Sequence, residues 1–241
     1  ILLFVPAGPS VDSTMQTLLP LLSHGDMVVD CGNSFFQDSI MRAERFAEQG
    51  LRWIDLGVSG GKEGARYGPS FMIGGHDPGV AIVTSLLRPL AARADCVTWF
   101  VHGGSSGAGH FIKMVHNGIE YADMQLLAEA CFLLRYAHGL ALNDIAVLFD
   151  EWKQGDISSY LVDITSEILR ATDSGSGIAL LDTILDVAEQ KGTGHWACRS
   201  AMELGVAVPS ISEAVHARHL SALRSERLLA SHKRLSRKVV S

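Results

Sequence analysis

Hydrophobic positions in the first hundred residues alternate between short apolar runs and amphipathic stretches. The runs ILLFVPAG, DMVVDCGNS and LRWIDLGVSGG predict buried strands that end in glycine-containing loops. Between them, positions 11–23 and 38–49 carry apolar residues at helical spacing and predict two helices. Strands and helices that alternate at such short spacing indicate parallel strands in an α/β sheet.

From about residue 107 the strand signals stop and long helical patterns replace them. The predicted helices cover residues 107–138, 142–153, 157–170, 178–188, 196–205 and 210–237. The chain therefore divides into an α/β region at 1–106 and an all-α region at 107–241. About four strands precede the helices, and no G-x-G-x-x-G fingerprint follows the first one. We therefore expect the first segment of the α/β domain to be missing from this chain, with a small complete sheet as the alternative.

The segment HFIKMVHNGIEY, residues 110–121, combines helical periodicity with clustered polar residues. On a helix, four polar side chains fall within an arc of roughly 100°: Lys113, His116, Asn117 and Glu120. The same face continues into LLAEACFLLRY, which is apolar on nearly every side and is therefore predicted to be buried. This pattern favours a polar cluster in an enclosed pocket, and a solvated face of an amphipathic helix is the alternative.

Composition and charge narrow the functional class. With 241 residues, 47% of them hydrophobic, the chain can bury a substantial core. No apolar run has the length of a membrane span and no signal peptide precedes the first strand, so no membrane partner is expected. The four scattered cysteines indicate reduced thiols and a cytoplasmic location. A net charge of −6 argues against a nucleic-acid partner, although basic residues crowd the last ten positions.

Two glycine-containing segments are candidates for ligand loops. Residues 57–75 hold seven glycines after a predicted strand, so their backbone can approach a ligand closely. The segment QKGTGHW places Lys191 and Thr193 beside glycines where a helix begins, a common arrangement for holding a phosphate. Arg218 could add a bidentate anion contact. Glycine loops after strands are also ordinary turns, and each basic residue taken singly is more typical of a plain surface charge.

Metal and hydrolase chemistry have little support in the sequence. Of the ten histidines, His110 and His116 lie six positions apart, while His216 and His219 lack the HExxH carboxylate. Ser59 lies in VSGG, which is not the G-x-S-x-G nucleophile elbow. We therefore expect no metal site and no serine nucleophile.

Three longer segments, GVSGGKEGARYGPS, GAGHFIKMVHNGIEYADMQL and QKGTGHW, occur in one order and together resemble the 6-phosphogluconate dehydrogenase family of the pentose phosphate pathway. The resemblance runs from ILLFVPAG to ALRSERLLAS, and the β-hydroxyacid dehydrogenase superfamily shares a looser version. It implies a partial Rossmann-like cofactor domain at 1–106 and a helical substrate-binding and dimerisation domain at 107–241. It also implies 6-phosphogluconate as substrate, NADP or NAD as cofactor, no metal, and a homodimer.

The resemblance also assigns roles to individual residues. Lys113 would be the general base and later the general acid, and Glu120 would protonate the product carbon. The residues that would line the substrate and nicotinamide are Ser59, Gly60, Gly61, His116 and Asn117. Those that would hold the substrate phosphate are Tyr121, Lys191, Thr193 and Arg218. Val5 and Asn33 would contact the nucleotide half of the cofactor.

The chemistry of oxidative decarboxylation asks for such a set. Oxidation of a secondary alcohol needs a base while hydride leaves for a nicotinamide, and lysine serves only if its pKa is lowered by apolar surroundings or a nearby cation. Once protonated, Lys113 can stabilise the charge that develops on the carbonyl oxygen as CO2 departs. The enediol then needs a proton on carbon. Two opposite proton transfers therefore need two groups, Lys113 and Glu120.

The chain also departs from the usual family pattern. Lys62 replaces a glutamate, His195 replaces a lysine, and Pro6 replaces a lysine after the first strand. The glycine fingerprint and the cofactor-selecting residues are expected upstream of Ile1, and long family forms add a C-terminal tail to the neighbouring subunit's site. The choice between NADP and NAD and the activity of these 241 residues alone therefore stay open. The alternatives are another β-hydroxyacid dehydrogenase and a non-catalytic sugar-phosphate-binding homologue.

Overall fold

The computed structural model describes residues 1–76, 78–94 and 96–232, with the backbone alone at residue 232. The chain forms two compact units, Ile1–Gly118 and a second that begins at Ile119. The basic residues predicted to lie on a solvated helix at the C-terminal end, Lys233, Arg234, Arg237 and Lys238, fall outside the described residues.

The first unit alternates strands and helices, as the sequence predicts. Its strands are β1 (Leu2–Leu3), β2 (Met27–Asp30), β3 (Arg52–Ser59), β4 (Ser70–Gly74), β5 (Arg93–Ala94), β6 (Val97–Thr98) and β7 (Phe100–Gly104). Its helices are α1 (Pro9–Leu18), α2 (Phe36–Ala47), α3 (Gly61–Tyr67) and α4 (Gly79–Leu87). In the described ranges, one sheet has the order β1-β2-β3-β4-β7, and β5 pairs with β6 apart from it. The predicted α/β class is confirmed.

Helices pack on both faces of this sheet. Successive side chains of a strand point to opposite faces, so neighbouring residues belong to different cores. Val28 and Trp53 belong to the core formed with α1 and α2. Their neighbours Val29 and Ile54 belong to the core that includes Val80 of α4. β2 and β3 are therefore buried on both faces, which explains why they appear in the sequence as continuous apolar runs.

One pairing departs from the predicted parallel arrangement, and it reverses two strands, β4 and β7. β1, β2 and β3 run parallel, but β4 is antiparallel to β3, with Ser59 opposite Ser70. β7 is parallel to β4. Only residues 60–69 connect β3 to β4, and a parallel crossover needs roughly a dozen residues or more. The short connection, which contains α3, therefore reverses the chain.

A long helix, α5 (Ala108–Phe132), begins in the first unit and continues into the second, where a π-helical turn, Leu133–Ala137, follows it. The other helices are α6 (Leu142–Trp152), α7 (Tyr160–Arg170), α8 (Leu180–Thr183), α9 (Thr193–Leu204), α10 (Pro209–Ala222) and α11 (Arg224–His232). A core of Ile145, Phe149 and Val162 joins α6 to α7 and packs against Leu127 and Cys131 of α5. The predicted all-α region is confirmed.

Three helical details differ from the sequence predictions. The helix predicted at 178–188 is only the short α8, because the backbone leaves the helical region at Ile184. The helix predicted at 210–237 divides at Leu223, whose φ of −80° and ψ of 40° leave the helical region. The prediction of burial for LLAEACFLLRY is wrong for the described chain: one face packs on the α6–α7 core, but Leu126, Phe132 and Tyr136 are exposed.

Within the described residues, no helix is both long enough and apolar enough to cross a membrane.

Candidate active site

Lys113 lies in the first unit, on α5, and is buried with only 6% of its surface exposed. Its side chain packs on the backbone of β3, since a Cβ built on Gly57 would lie 2.5 Å from Cβ of Lys113. Real Cβ atoms do not approach so closely, so a glycine is required at residue 57 for the lysine stem to lie there. The glycine thus lets the stem of the lysine lie buried against the strand.

Two further glycines bring the start of α5 against the sheet. A Cβ on Gly109 would lie 2.5 Å from the carbonyl oxygen of Met72, and a Cβ on Gly74 would lie 2.5 Å from the amide nitrogen of Gly109. These neighbours are backbone atoms of β4 and α5 and cannot move aside separately. The helix that carries Lys113 is therefore seated on β3 and β4 by contacts that only glycine allows.

Asp55 of β3 caps the same helix. Its side chain is fully buried, and its two carboxylate oxygens accept hydrogen bonds from the amide of Gly107, at 2.7 Å, and from that of His110, at 3.0 Å. These amides belong to the unpaired first turn of α5, where a negative charge is favourable. Asp55 therefore fixes the N-terminus of the helix one turn before Lys113.

His110 connects the helix to the end of β2 and to α2. Its ring is 1% exposed, with Nε2 at 3.2 Å from the carbonyl oxygen of Asp30 and Nδ1 at 2.7 Å from the hydroxyl of Ser39. A carbonyl only accepts, so Nε2 carries a proton, and in the neutral ring Nδ1 accepts from Ser39. This arrangement makes His110 a buried structural residue, one helical turn before Lys113.

The predicted substrate loop follows β3. Ser59 is half-buried at the end of the strand, and Gly60 and Gly61 have positive φ angles of 129° and 56°. A Cβ on Gly60 would lie 2.8 Å from Cα of Gly64. On α5, His116 and Asn117 are half-buried, and Nδ1 of His116 lies 3.4 Å from Oδ1 of Asn117. All five predicted lining residues belong to the first unit.

The predicted cofactor contacts lie at the carboxyl ends of β1 and β2, where open α/β sheets bind ligands. Val5 is half-buried and Asn33 is exposed. The two loops are close, since a Cβ on Gly32 would lie 3.0 Å from the carbonyl oxygen of Val5. The carboxylate of Asp30 orders the second loop by accepting from the amide of Gly32 and the hydroxyl of Ser34.

Cys31 begins that loop, but its environment makes it unreactive. Burial, and secondarily the charge of Asp30, raises the pKa of its thiol to about 12. The thiolate is the nucleophilic form, so this raised pKa disfavours a nucleophilic role for Cys31.

The predicted phosphate-binding residues all belong to the second unit. Tyr121 of α5 and Arg218 of α10 are in contact, with the guanidinium carbon 3.8 Å from the ring centroid. This cation–π contact orients the guanidinium, which also donates to the carbonyl oxygen of Glu189. A Cβ on Gly194 would lie 2.8 Å from Cδ2 of Tyr121, so α9 also meets this ring through a glycine.

Lys191 and Thr193 flank the start of α9. Gly192 is its N-cap residue in the left-handed conformation, at φ 97°, and Thr193 is the first helical residue. Thr193 is buried, whereas Lys191 is exposed. The four predicted phosphate ligands therefore come from α5, from the start of α9 and from α10.

Glu120, which precedes Tyr121, is half-buried on α5.

Sequence reasoning did not identify Asp55 or the packing role of His110. The available signal for Asp55 was an acidic residue inside the apolar strand RWIDLGVS, because buried carboxylates need hydrogen-bond donors. His110 was recognisable only as a polar residue next to the glycines of GAGH. Within the described ranges, no group of three or more His, Cys, Asp or Glu side chains could hold a metal ion.

Comparison with known families matches nearly the whole chain. Residues 1–103 match the NAD binding domain of 6-phosphogluconate dehydrogenase. Residues 109–240 match the 6-phosphogluconate dehydrogenase C-terminal domain.

Individual relatives agree with these matches. The NADP(+)-dependent, decarboxylating 6-phosphogluconate dehydrogenase of Bacillus subtilis is 46% identical over 234 residues, 96% of this chain and 49% of the relative. A decarboxylating 6-phosphogluconate dehydrogenase of Citrobacter amalonaticus is 47% identical over 235 residues, 96% of this chain and 52% of the relative. The chain thus spans about half the length of the curated relatives it matches.

Solved structures give the same result. Plasmodium falciparum 6-phosphogluconate dehydrogenase superimposes with a TM-score of 0.89 at 35% identity, over 96% of this chain and 50% of that one. Mycobacterium tuberculosis 3-hydroxyisobutyrate dehydrogenase, at 20% identity and a TM-score of 0.67 over 93% of this chain and 73% of that one, shares the fold. Because both parts of the chain match the two domains of a single enzyme family, this chain belongs to the 6-phosphogluconate dehydrogenase family.

Proposed function

We propose that the protein containing this chain converts 6-phosphogluconate to ribulose 5-phosphate and CO2, with hydride transfer to NADP or NAD, in the pentose phosphate pathway. The burial of Lys113 against Gly57 of β3, the strand that ends at Ser59, is the observation that carries this proposal. The relatives named 6-phosphogluconate dehydrogenase support the reaction type. Cofactor binding by residues 1–106, substrate binding by 107–241 and a cytoplasmic location are part of the proposal.

Lys113 is the proposed base. A buried amine loses its proton more readily than an exposed one, because apolar surroundings disfavour the charged form. The amine takes the proton of the substrate hydroxyl, and a bound nicotinamide supplies the hydride acceptor. The protonated amine then donates a hydrogen bond to the new carbonyl oxygen while CO2 leaves. Val5 and Asn33, at adjacent strand ends, would contact the cofactor.

Glu120 is the proposed acid for the last step. Residues seven apart on a helix lie on one face, so Glu120 shares the face of Lys113 on α5. In the proposal it delivers a proton to the carbon that lost CO2. Ser59, Gly60, Gly61, His116 and Asn117 would line the sugar acid and the nicotinamide.

We expect Glu120→Gln to slow protonation of the product carbon by about 10²-fold or more, because the amide has no acidic proton. The measurement is deuterium uptake at that carbon during turnover in heavy water. Glu129→Gln, an exposed change on the same helix, is the control. Unchanged uptake in the Glu120 variant would remove its assignment.

Phosphate recognition distinguishes this substrate from smaller hydroxy acids. We propose that Tyr121, Lys191, Thr193 and Arg218 hold the substrate phosphate. Removing Lys191 and Arg218 together deletes two cationic donors, each worth about 1.5–3 kcal/mol to an anion, so affinity should fall on the order of 10²-fold or more. Replacing Arg135 and Lys153, which pair with carboxylates elsewhere in the second unit, is the control.

The test is an assay of the complete product of the gene that encodes these residues, with NADP and NAD in parallel. We expect reduction of one of the two cofactors with 6-phosphogluconate and loss of affinity in the double variant. Full turnover of another hydroxy acid by that variant would indicate a different β-hydroxyacid dehydrogenase. Binding of 6-phosphogluconate without cofactor reduction would indicate a non-catalytic homologue.

A homodimer is also part of the proposal. In the second unit, the exposed residues Phe132 and Tyr136 line an apolar groove with a volume of about 620 Å³, and Leu126 of α5 is also exposed. Exposed apolar patches of this kind commonly mark protein interfaces. Sedimentation equilibrium of the complete protein should give twice the chain mass, and a monomer at micromolar concentration would contradict it.

A further inference from the structure

The segment that leads into the proposed phosphate site, residues 184–192, has no regular secondary structure and belongs to no helix. Lys191 lies at its end, just before α9. A loop without regular structure loses conformational entropy when a ligand orders it, and this loss weakens binding. The contacts of the segment therefore bear directly on phosphate affinity.

Asp186 anchors the segment to α10 and α11. Its carboxylate accepts from Nε of Arg224 at 2.9 Å and from Nη1 of Arg227 at 2.6 Å. Nη2 of Arg227 donates to the carbonyl oxygen of Asp186, at 2.8 Å, and to that of Ser221, at 3.0 Å. One guanidinium thus joins the segment to the end of α10 through planar, charge-assisted hydrogen bonds.

Three more contacts follow along the segment towards Lys191. The amide of Ala188 donates to Oγ of Ser221 at 2.9 Å. The carbonyl oxygen of Glu189 accepts from Arg218, the guanidinium that lies over Tyr121. The amide group of Gln190 lies 2.6 Å from Nε2 of His219. The backbone before Lys191 is therefore held by the same helix that supplies the proposed phosphate ligand Arg218.

We propose that Asp186, with Arg224 and Arg227, forms a clasp that positions Lys191 and Arg218 for the substrate phosphate. The inference rests on the proposed function, because it concerns the phosphate of that substrate. The clasp residues are positioning residues, and their effect is to hold the phosphate loop in its binding shape before the ligand arrives.

Charge and positioning predict opposite outcomes for one substitution. Asp186→Asn removes a negative charge close to the site and releases two arginines, so a purely electrostatic effect strengthens binding of a phosphate. Loss of positioning weakens it, because the loop must then be ordered by the ligand. The sign of the change therefore identifies the mechanism.

The experiment compares the complete protein with its Asp186→Asn and Asp163→Asn variants by calorimetry with 6-phosphogluconate and, in competition, with gluconate. Asp163 is a matched control in the same unit, since it pairs with Lys153 at 2.7 Å. We expect Asp186→Asn to bind 6-phosphogluconate about tenfold more weakly and gluconate within about twofold of wild type. The control should match wild type for both ligands. Asp186→Glu, which keeps the carboxylate, should restore most of the affinity.

Amide hydrogen exchange separates failure of the clasp from failure of the proposed function. Faster exchange at residues 186–192 in Asp186→Asn supports the clasp, and exchange equal to wild type overturns it. Equal or tighter binding of 6-phosphogluconate by this variant, or equal weakening for both ligands, also overturns it. If Asp186→Asn does not fold, Ser221→Ala, which deletes the contact to Ala188, takes its place with the same criteria. A wild-type chain that prefers gluconate would contradict the proposed function instead.

Discussion

The start of α5 and the phosphate region of the second unit are built by different physical means. Around Lys113, the contacts are buried and depend on glycine: Gly57, Gly74 and Gly109 bring backbones together, and the fully buried Asp55 caps the helix. Around Arg218, the contacts are charged and partly exposed, with Asp186, Arg224 and Arg227 forming ion pairs at the surface.

The difference corresponds to what each region is proposed to do. The first region is proposed to hold a proton-transferring amine, and its buried position keeps bulk water away from the reaction. A phosphate arrives charged and hydrated, so its site needs exposed cations that are already oriented. The first region should therefore be sensitive to volume, and the second to charge.

The largest effect is expected from the lysine itself. Lys113→Met keeps the apolar stem but removes the base, so kcat should fall by about 10²–10⁴-fold in the complete protein. Calorimetry should show that the affinity for 6-phosphogluconate changes little, because the phosphate residues are intact. Appreciable remaining activity would contradict the assignment of Lys113 as the base. The proposed role of the buried region would then be wrong as well.

Sensitivity to volume is tested next by adding one methyl group. Gly109→Ala places a Cβ about 2.5 Å from the Met72 carbonyl oxygen, so we expect the free energy of unfolding to fall by about 1–3 kcal/mol. Gly155→Ala in the second unit, where the nearest atom is at 3.6 Å, should change it by less than about 1 kcal/mol. Urea unfolding measures both, and equal effects would contradict the glycine contact.

The helix cap gives a smaller effect in the same region. Asp55→Asn replaces one carboxylate oxygen by an NH2 group that faces an amide donor, so we expect a loss of about 1–3 kcal/mol of stability and a lower kcat. Asp26→Asn is the control, because Asp26 accepts one exposed bond, from the amide of Ser23. If both variants unfold at the same urea concentration, the cap does not stabilise α5.

The smallest effect is a pH dependence in the charged region. Hydrogen bonds from Arg227 and then Arg224 lower the pKa of Asp186. A group with a lowered pKa contributes its stability fully above the ordinary aspartate pKa and loses it as pH falls through the lowered value. Hydrogen exchange of residues 186–192, corrected for intrinsic rates, should therefore increase only at acid pH. A loss of protection that begins near neutral pH would contradict this ion pair as its source.

The sequence predicts those features that depend on local periodicity. The order of strands and helices in the first unit follows from alternating apolar runs, and α6 and α7 lie close to the predicted ranges. It does not predict the reversed β4, because direction depends on the short connection after Ser59 rather than on the strand's own residues. It also places a continuous helix over Leu223, whose backbone conformation breaks the helix without glycine or proline.

For the candidate site, the sequence likewise predicts residues within single motifs but not the contacts between distant segments. Lys113, Glu120 and the phosphate residues come from motifs that resemble a known family, and their polar types suggest chemistry. The cap by Asp55 joins residues 52 positions apart, and the clasp joins Asp186 to arginines about forty positions later. Such pairs depend on how elements pack, which periodicity in one segment does not encode.

The contact among Gly57, Gly74 and Gly109 also has an evolutionary consequence. Every missense change in these three codons adds at least a Cβ where the nearest atoms lie about 2.5 Å away. Natural variants of the gene should therefore be depleted at all three codons together, while a codon such as that of Gly155 accumulates substitutions freely. In sequences from a population, these three codons should therefore carry synonymous variants but few missense variants.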